Sequence, residues 1–143
     1  MEGTAPPEAD QPLAENFRYF LTTMNILLVD DNTFNLKLLR KKLEDSGFGV
    51  ATALDGIKAL NAVRTAPPDL VLLDVMMPRL DGYRVCKLLR MDERFASLPI
   101  IMLTSKAGEE DRMLGLELGV DAFILKTADF KEITGVIEKC LNQ

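Results

Sequence analysis

The sequence contains no histidine. A Ser-His-Asp triad, a phosphohistidine carrier and a histidine zinc site are therefore excluded. Cysteine is scarce. Cys86 and Cys140 lie far apart and match no CxxC pattern, so a reducing, cytoplasmic setting is the default expectation. Long apolar runs are also missing, and with them any candidate for a bilayer-spanning helix. The first residues, MEGTAPPEADQP, lack the basic start and apolar core of a secretory signal. Positive charge is in deficit: 17 Lys and Arg face 22 Asp and Glu, for a net charge of −5. That argues against a broad nucleic-acid footprint and for no direct nucleic-acid partner. Phosphate can still be held locally by one lysine, a metal or backbone amides.

What is present is globular. The 143 residues are 48% apolar and 27% charged, one domain's worth. Residues 1–23 differ from the rest, being rich in Pro, Ala and acid without a clean period, and read as a flexible N-terminal extension. Phe17, Tyr19, Phe20 and Leu21 form a small apolar cluster at its end. A linker end brushing the domain is favoured there over a short docking helix. From Met24 onward, strands and helices alternate. Apolar runs predict strands at Asn25–Val29, Phe48–Ala53, Leu70–Leu73, Pro99–Leu103 and Ala122–Leu125. Helical spacing covers Thr33–Asp45, Asp55–Thr65, Gly82–Met91, Glu109–Leu118 and Phe130–Leu141. Phe34, Leu36, Leu38, Leu39 and Leu43 lie near one period in the first helix. Ile57, Leu60 and Val63 share a side of the second, and Val85, Leu88 and Leu89 point inward from the third. Five βα units predict a parallel sheet with helices on both faces, in the flavodoxin-like, doubly wound order 2-1-3-4-5.

The polar residues gather at one edge of that sheet. Asp30 and Asp31 follow the first strand, Asp74 the third, Thr104 the fourth and Lys126 the fifth. Carboxyl ends of parallel strands share an edge, and strands 1, 3, 4 and 5 are consecutive neighbours in the predicted order. The five side chains therefore converge on one cleft. Three carboxylates there must raise their pKa values or bind a cation. Mg²⁺, which takes one or two carboxylates and keeps waters, suits them. Carboxylates, one lysine, one hydroxyl and Mg²⁺ form a set suited to phosphoryl transfer. With no histidine to activate Ser or Cys, a carboxylate is the remaining nucleophile. The bland alternatives are a helix cap for Asp30 and Asp31, a strand end for Thr104 and a surface lysine for Lys126. Convergence outweighs them.

Val29-Asp30-Asp31-Asn32, Leu73-Asp74-Val75-Met76-Met77-Pro78 with Asp81-Gly82, Leu103-Thr104-Ser105 and Lys126 together resemble the signatures of two-component response-regulator receiver domains. The resemblance covers residues 24–143. It implies phosphorylation of Asp74 by a sensor histidine kinase or histidine phosphotransfer protein, dependent on Mg²⁺. It gives the metal pocket to Asp30, Asp31, Asp74 and the backbone carbonyl of Met76, with Asp31 the more direct ligand and Asp30 acting through water. Thr104 would bond the phosphoryl oxygen and shift inward. Lys126 would pair with Asp74 and later with the phosphate. Phe123 stands where receivers place a rotating aromatic, which would turn into space that Thr104 vacates. The face of the fourth helix, fifth strand and fifth helix would pass the signal to a downstream protein. Both a monomer and a homodimer formed on activation fit. No output domain fits after residue 143, so a stand-alone regulator of chemotaxis-regulator type is expected, a receiver cut from a larger protein being the other option.

Two departures stand out. Receivers usually carry a cis proline after the lysine, and here the residue is Thr127. A trans Lys126–Thr127 bond and a reshaped loop, moving the Lys126 ammonium, are expected. Met76 and Lys106 flank the site, two residues after Asp74 and Thr104, where side chains can gate the attacking water. Two rivals complete the reading. A Mg²⁺-dependent phosphatase of haloacid-dehalogenase type needs DxDx(T/V), and Met76 stands where its general acid would be. A pseudo-receiver that binds partners without phosphorylation conflicts with the complete acidic set, although Thr127 keeps it open.

Overall fold

Five short apolar strands form the centre of the molecule. A computed structural model describes residues 24–105 and 109–142, with the side chains of 109–111 excepted. The N-terminal extension with its aromatic cluster, and Lys106, lie outside the described residues. Strands β1 (Asn25–Val29), β2 (Gly49–Ala53), β3 (Leu70–Asp74), β4 (Ile100–Thr104) and β5 (Ala122–Leu125) alternate with helices α1 (Thr33–Asp45), α2 (Gly56–Thr65), α3 (Gly82–Met91), α4 (Glu109–Glu117) and α5 (Phe130–Leu141). All pairings are parallel, in the order β2-β1-β3-β4-β5. The expected doubly wound sheet is therefore present.

The strands read as nearly continuous apolar runs because both faces are covered. On one face Leu27, Val29, Leu73 and Met102 meet Leu60, Val63, Val85 and Leu89 from α2 and α3. On the other, Ile26, Leu28, Leu72 and Leu103 meet Leu36, Leu43, Ile133 and Ile137 from α1 and α5. Helix starts are set by Asn32, Asp55, Asp81 and Asp129, whose side-chain oxygens each accept a backbone N–H three residues on. The helical stripes are narrower than the sequence suggests. Phe34, Leu38 and Ile57 are exposed, and Leu88, expected inward, is 39% exposed. Each lies one step around its helix from the stripe that the sheet covers.

Arg90, near the end of α3, fastens the edge of the sheet opposite the polar cleft. Its Nε donates to the Gly119 carbonyl at 3.0 Å, and Nη1 donates to Phe95 and Leu98 carbonyls at 2.9 and 2.7 Å. Nη2 reaches Asp121 Oδ2 at 3.0 Å. That same oxygen accepts the Ile100 N–H at 2.8 Å, so one ion pair joins the starts of β4 and β5. Arg90→Met leaves three carbonyls and one carboxylate without this donor. We expect a loss of about 2 kcal/mol in urea unfolding, the pair being partly exposed, with phosphoryl uptake at the opposite edge unchanged.

Candidate functional site

The structure brings the five strand-end residues together. Asp30 follows β1 and is buried, while Asp31 beside it is exposed. Neither caps α1, since Asn32 Oδ1 accepts the Asn35 N–H at 3.1 Å. Asp30 Oδ1 instead accepts the Asn32 N–H at 2.9 Å, which fixes its carboxylate toward the cleft. Asp74 is the last residue of β3 and 3% exposed. Its Oδ1 accepts the Met76 N–H at 3.3 Å. Carboxylate oxygens of Asp30, Asp31 and Asp74 all lie within 4.8 Å of one another. The Lys126 ammonium stands 3.1 Å from Asp30 Oδ2 and 3.2 Å from Asp74 Oδ1.

Thr104 closes β4 and is buried. Its carbonyl accepts the Lys126 N–H at 2.7 Å, so the hydroxyl-bearing residue and the lysine are held by one backbone bond. The register pairs Met102 with Phe123 and Thr104 with Leu125. Alternation then places Thr104 and Phe123 on the same face of the sheet. The described residues contain no cis peptide bond, so Lys126–Thr127 is trans. The ammonium is not carried away by that loop, since it reaches both acids. Met76 is 71% exposed at the mouth of the cleft, whereas Met77 is buried in the core.

Electrostatics make this cleft hungry for positive charge. Burial raises the Asp74 pKa from 3.8 to about 6, Lys126 works against that rise, and Asp30 adds to it. For Lys126 burial pulls the pKa down, but Asp74 and Asp30 outweigh it and the net direction is up, so the ammonium persists. Among the described residues, three carboxylates face one ammonium, a balance that a divalent cation matches. Oxygen donors at this spacing, with the Met76 carbonyl nearby in sequence, fit Mg²⁺.

One contributor escaped the sequence reading. Gly82, expected as the first residue of the third helix, lets the start of α3 press against the acceptor strand. Its N–H donates to the Val75 carbonyl at 2.9 Å, and a Cβ there would collide with the Asp74 carbonyl oxygen and stand 3.0 Å from Val75 Cα. The chain between adopts φ +68° at Arg79. The Asp-Gly pair was the only signal available for this close approach.

Comparison with known proteins decides the family. The response regulator receiver domain model matches residues 26–138. The chain is a receiver domain of the response-regulator family. It is 45% identical over 118 residues to the alkaline phosphatase synthesis transcriptional regulatory protein PhoP of Bacillus subtilis, covering 82% of this chain and 48% of that protein. It is 42% identical to the DNA-binding response regulator MtrA of Mycolicibacterium paratuberculosis, covering 82% and 51%. This receiver domain thus spans about half the length of the curated relatives it matches. Among solved structures, the chemotaxis protein CheY4 of Vibrio cholerae superposes with a TM-score of 0.78 at 28% identity, covering 82% of this chain and 98% of that one. The BeF3-activated N-terminal receiver domain of Klebsiella pneumoniae RstA gives 0.77 at 31% identity, covering 83% and 99%. Receiver domains of this family are signalling modules of two-component systems rather than classical enzymes.

Proposed function

We propose that this receiver domain accepts a phosphoryl group on Asp74 from a phosphohistidine of a sensor kinase or phosphotransfer protein, dependent on Mg²⁺. An Asp74 carboxylate oxygen forms a bond to phosphorus as the phosphorus–nitrogen bond breaks, and the imidazole departs with its electron pair. The product is an acyl phosphate on Asp74. Lys126 balances charge on the transferring oxygens, and Thr104 donates its hydroxyl to one of them. Asp30, Asp31, Asp74 and the Met76 carbonyl would hold the ion, which supplies further positive charge to those oxygens. Water later cleaves the acyl phosphate, returning Asp74 and inorganic phosphate.

The observation that carries this reading is the single lysine bridging two buried carboxylates, at 3.1 and 3.2 Å, inside a three-carboxylate cluster. Incubation with Mg²⁺ and acetyl phosphate should add one phosphoryl group to the intact mass, and EDTA should abolish the adduct. If neither acetyl phosphate nor beryllofluoride binds, the reading fails.

The donor would be a protein that meets α1. Phe34 is 73% and Leu38 48% exposed on that helix, one turn apart, next to the acidic cleft. A cavity of about 130 Å³ between α1 and α5 runs from Leu38 and Phe130 to Asp30 and Lys126. We expect Phe34→Ala to slow phosphotransfer from a phosphohistidine protein roughly tenfold, about 1.4 kcal/mol. The rate from acetyl phosphate should not change. Parallel losses with both donors would remove α1 from the docking surface.

The phosphorylated domain would act on a downstream protein, or on a second copy, through the α4-β5-α5 face, where Met113, Leu116 and Leu125 are exposed. DNA binding is a property named for the relative MtrA of Mycolicibacterium paratuberculosis, whose length is about twice that of the matched region. For this chain, the net charge of −5 supports action through protein contacts. No helix among the described residues is long and apolar enough to cross a membrane, and we place the domain in the cytoplasm, where histidine kinases present their phosphohistidine.

A further inference from the structure

One corner of the sheet is left open on the side that α2 covers elsewhere. Ala51 of β2 stands in register with Leu27 of β1, whose side chain lies under α2. Register partners in a parallel sheet share a face, so Ala51 points the same way, yet it is exposed. The reason is where α2 stops. The helix ends at Thr65, and Pro67-Pro68 cannot continue it. A groove of about 490 Å³ results at the amino ends of β1 and β2, walled by Val50, Ala51, Ala62, Ala66, Pro67 and Pro68. An apolar cavity of about 150 Å³ is enough for one benzene ring, so this groove has room for more than one.

The chain itself enters at this corner. Asn25 lines the groove. Its N–H donates to Asp69 Oδ2 at 2.7 Å, and the Met24 carbonyl accepts the Gly49 N–H at 2.9 Å. These bonds fix the point from which residues 1–23 depart. Phe17, Tyr19, Phe20 and Leu21 stand three to seven positions before Met24. Full extension keeps Leu21 within about 10 Å of Met24 and Phe17 within about 25 Å. Every member of the cluster is therefore tethered within reach of the groove.

Charge points the same way. Residues 1–16 carry Glu2, Glu8, Asp10 and Glu15 and no Lys or Arg. Helix α2 carries Lys58 and Arg64, both exposed, and no acid. Among the described residues neither base makes an ion pair. Arg64 adjoins the groove, and Lys58 lies about 9 Å further along the helix. The acids precede the apolar cluster in the chain as the bases follow the groove along α2.

We propose that this groove is the docking site of the chain's own N-terminal segment. Phe17, Tyr19, Phe20 and Leu21 seat against Ala51, Ala62 and the two prolines, and the acids before them run along Arg64 and Lys58. A segment tethered at the rim holds an effective concentration in the millimolar range, which sets it ahead of a free partner. The seat lies at the edge of the sheet opposite the acidic cleft and does not depend on phosphorylation of Asp74.

The test uses the full chain. Thr65 lines the groove and is exposed, and both native cysteines are buried, so Thr65→Cys takes a nitroxide label at one site. The amide signals of residues 17–21 should broaden beyond detection in NMR. A label at Lys131→Cys, exposed on α5, should leave them sharp. Phe20→Ser with Leu21→Ser should restore the signals beside the Thr65 label. Without the label, the same pair should move the Ala51, Ala62 and Ala66 methyl resonances and lower the melting temperature by about 3 °C. Arg64→Glu should return part of the lost intensity, as should high salt. Sharp signals beside the Thr65 label overturn the proposal, as does equal broadening from both labels. Alanine methyls unmoved by the double substitution leave the groove to a partner and also overturn it. Broadening in a mixture of nitroxide-bearing and isotope-labelled chains would assign the groove to the segment of a second copy, against the tethered seat.

Discussion

Asp74→Asn takes up no phosphoryl group from acetyl phosphate, under conditions that label wild type, in the result expected first. An amide oxygen lacks the negative charge needed to attack phosphorus, and no histidine exists to replace it. The substitution is nearly isosteric, and its carbonyl oxygen still accepts the Met76 N–H that orients the Asp74 side chain. The fold should be intact, so lost labelling reports the acceptor and not unfolding. Intact-mass spectrometry of both proteins, with and without EDTA, reads the outcome. Equal labelling of both would move the acceptor elsewhere. A chain indifferent to Asp74→Asn in its signalling as well would be a phosphorylation-independent interaction module.

The second large effect concerns stability and pH in metal-free protein. Asp74 has a folded-state pKa of about 6 against an ordinary value of 3.8, because burial penalises its charged form. Between those values the native state binds more protons than the unfolded chain, so this group makes stability fall as pH rises through that window. The gap corresponds to on the order of 3 kcal/mol lost by neutral pH, as the carboxylate must ionise in a dry site beside Asp30. Asp74→Asn removes that penalty. In EDTA at pH 7 the variant should melt roughly 5–10 °C above wild type, and below pH 4 the two should converge. Saturating Mg²⁺ should raise wild type at pH 7 by binding the native state alone. Identical melting curves in EDTA across this range would show that Asp74 is not held in a raised-pKa state.

The same protein that gains stability from Asp74→Asn loses its chemistry. Such opposition is expected where like charges are confined for function. It also explains why the cleft was legible in the sequence. A polar residue that ends an otherwise apolar buried strand has no packing reason to be there. Asp30, Asp74, Thr104 and Lys126 stand out on that ground, and parallel topology turned four distant positions into one place. Strands were legible for a related reason, since runs such as Leu70–Leu73 are buried on both faces and carry no competing period.

Less visible were contacts made across the chain by residues with ordinary local readings. Arg90 near a helix C-terminus reads as a favourable surface charge, yet it gathers carbonyls from two loops. Gly82 and Gly115 fall within the predicted helices Gly82–Met91 and Glu109–Leu118 without standing out there. Their importance lies in what a Cβ would strike, the Asp74 carbonyl for Gly82 and the Phe123 ring for Gly115, which depends on neighbours seven or more residues away. The width of each helical stripe was overstated at Phe34, Leu38, Ile57 and Leu88, because periodicity shows which residues share a side but not how far the sheet extends beneath it. At Phe34 and Leu38 the excess is informative, since it flanks the cleft.

The two ends of the sheet hold different things: the acidic cleft lies at the carboxyl ends of the strands and the Arg90 fastening at the opposite ends. Heritable variation should therefore sort by edge. Changes around Arg90 and Asp121 would alter how much folded protein a cell maintains, since one or two kcal/mol shifts abundance severalfold. Changes around Asp30 and Asp74 would leave abundance unharmed or higher while silencing each molecule. A selection that scores only the amount of protein would enrich inactive chains, and one that scores only signal would mistake scarce chains for broken ones.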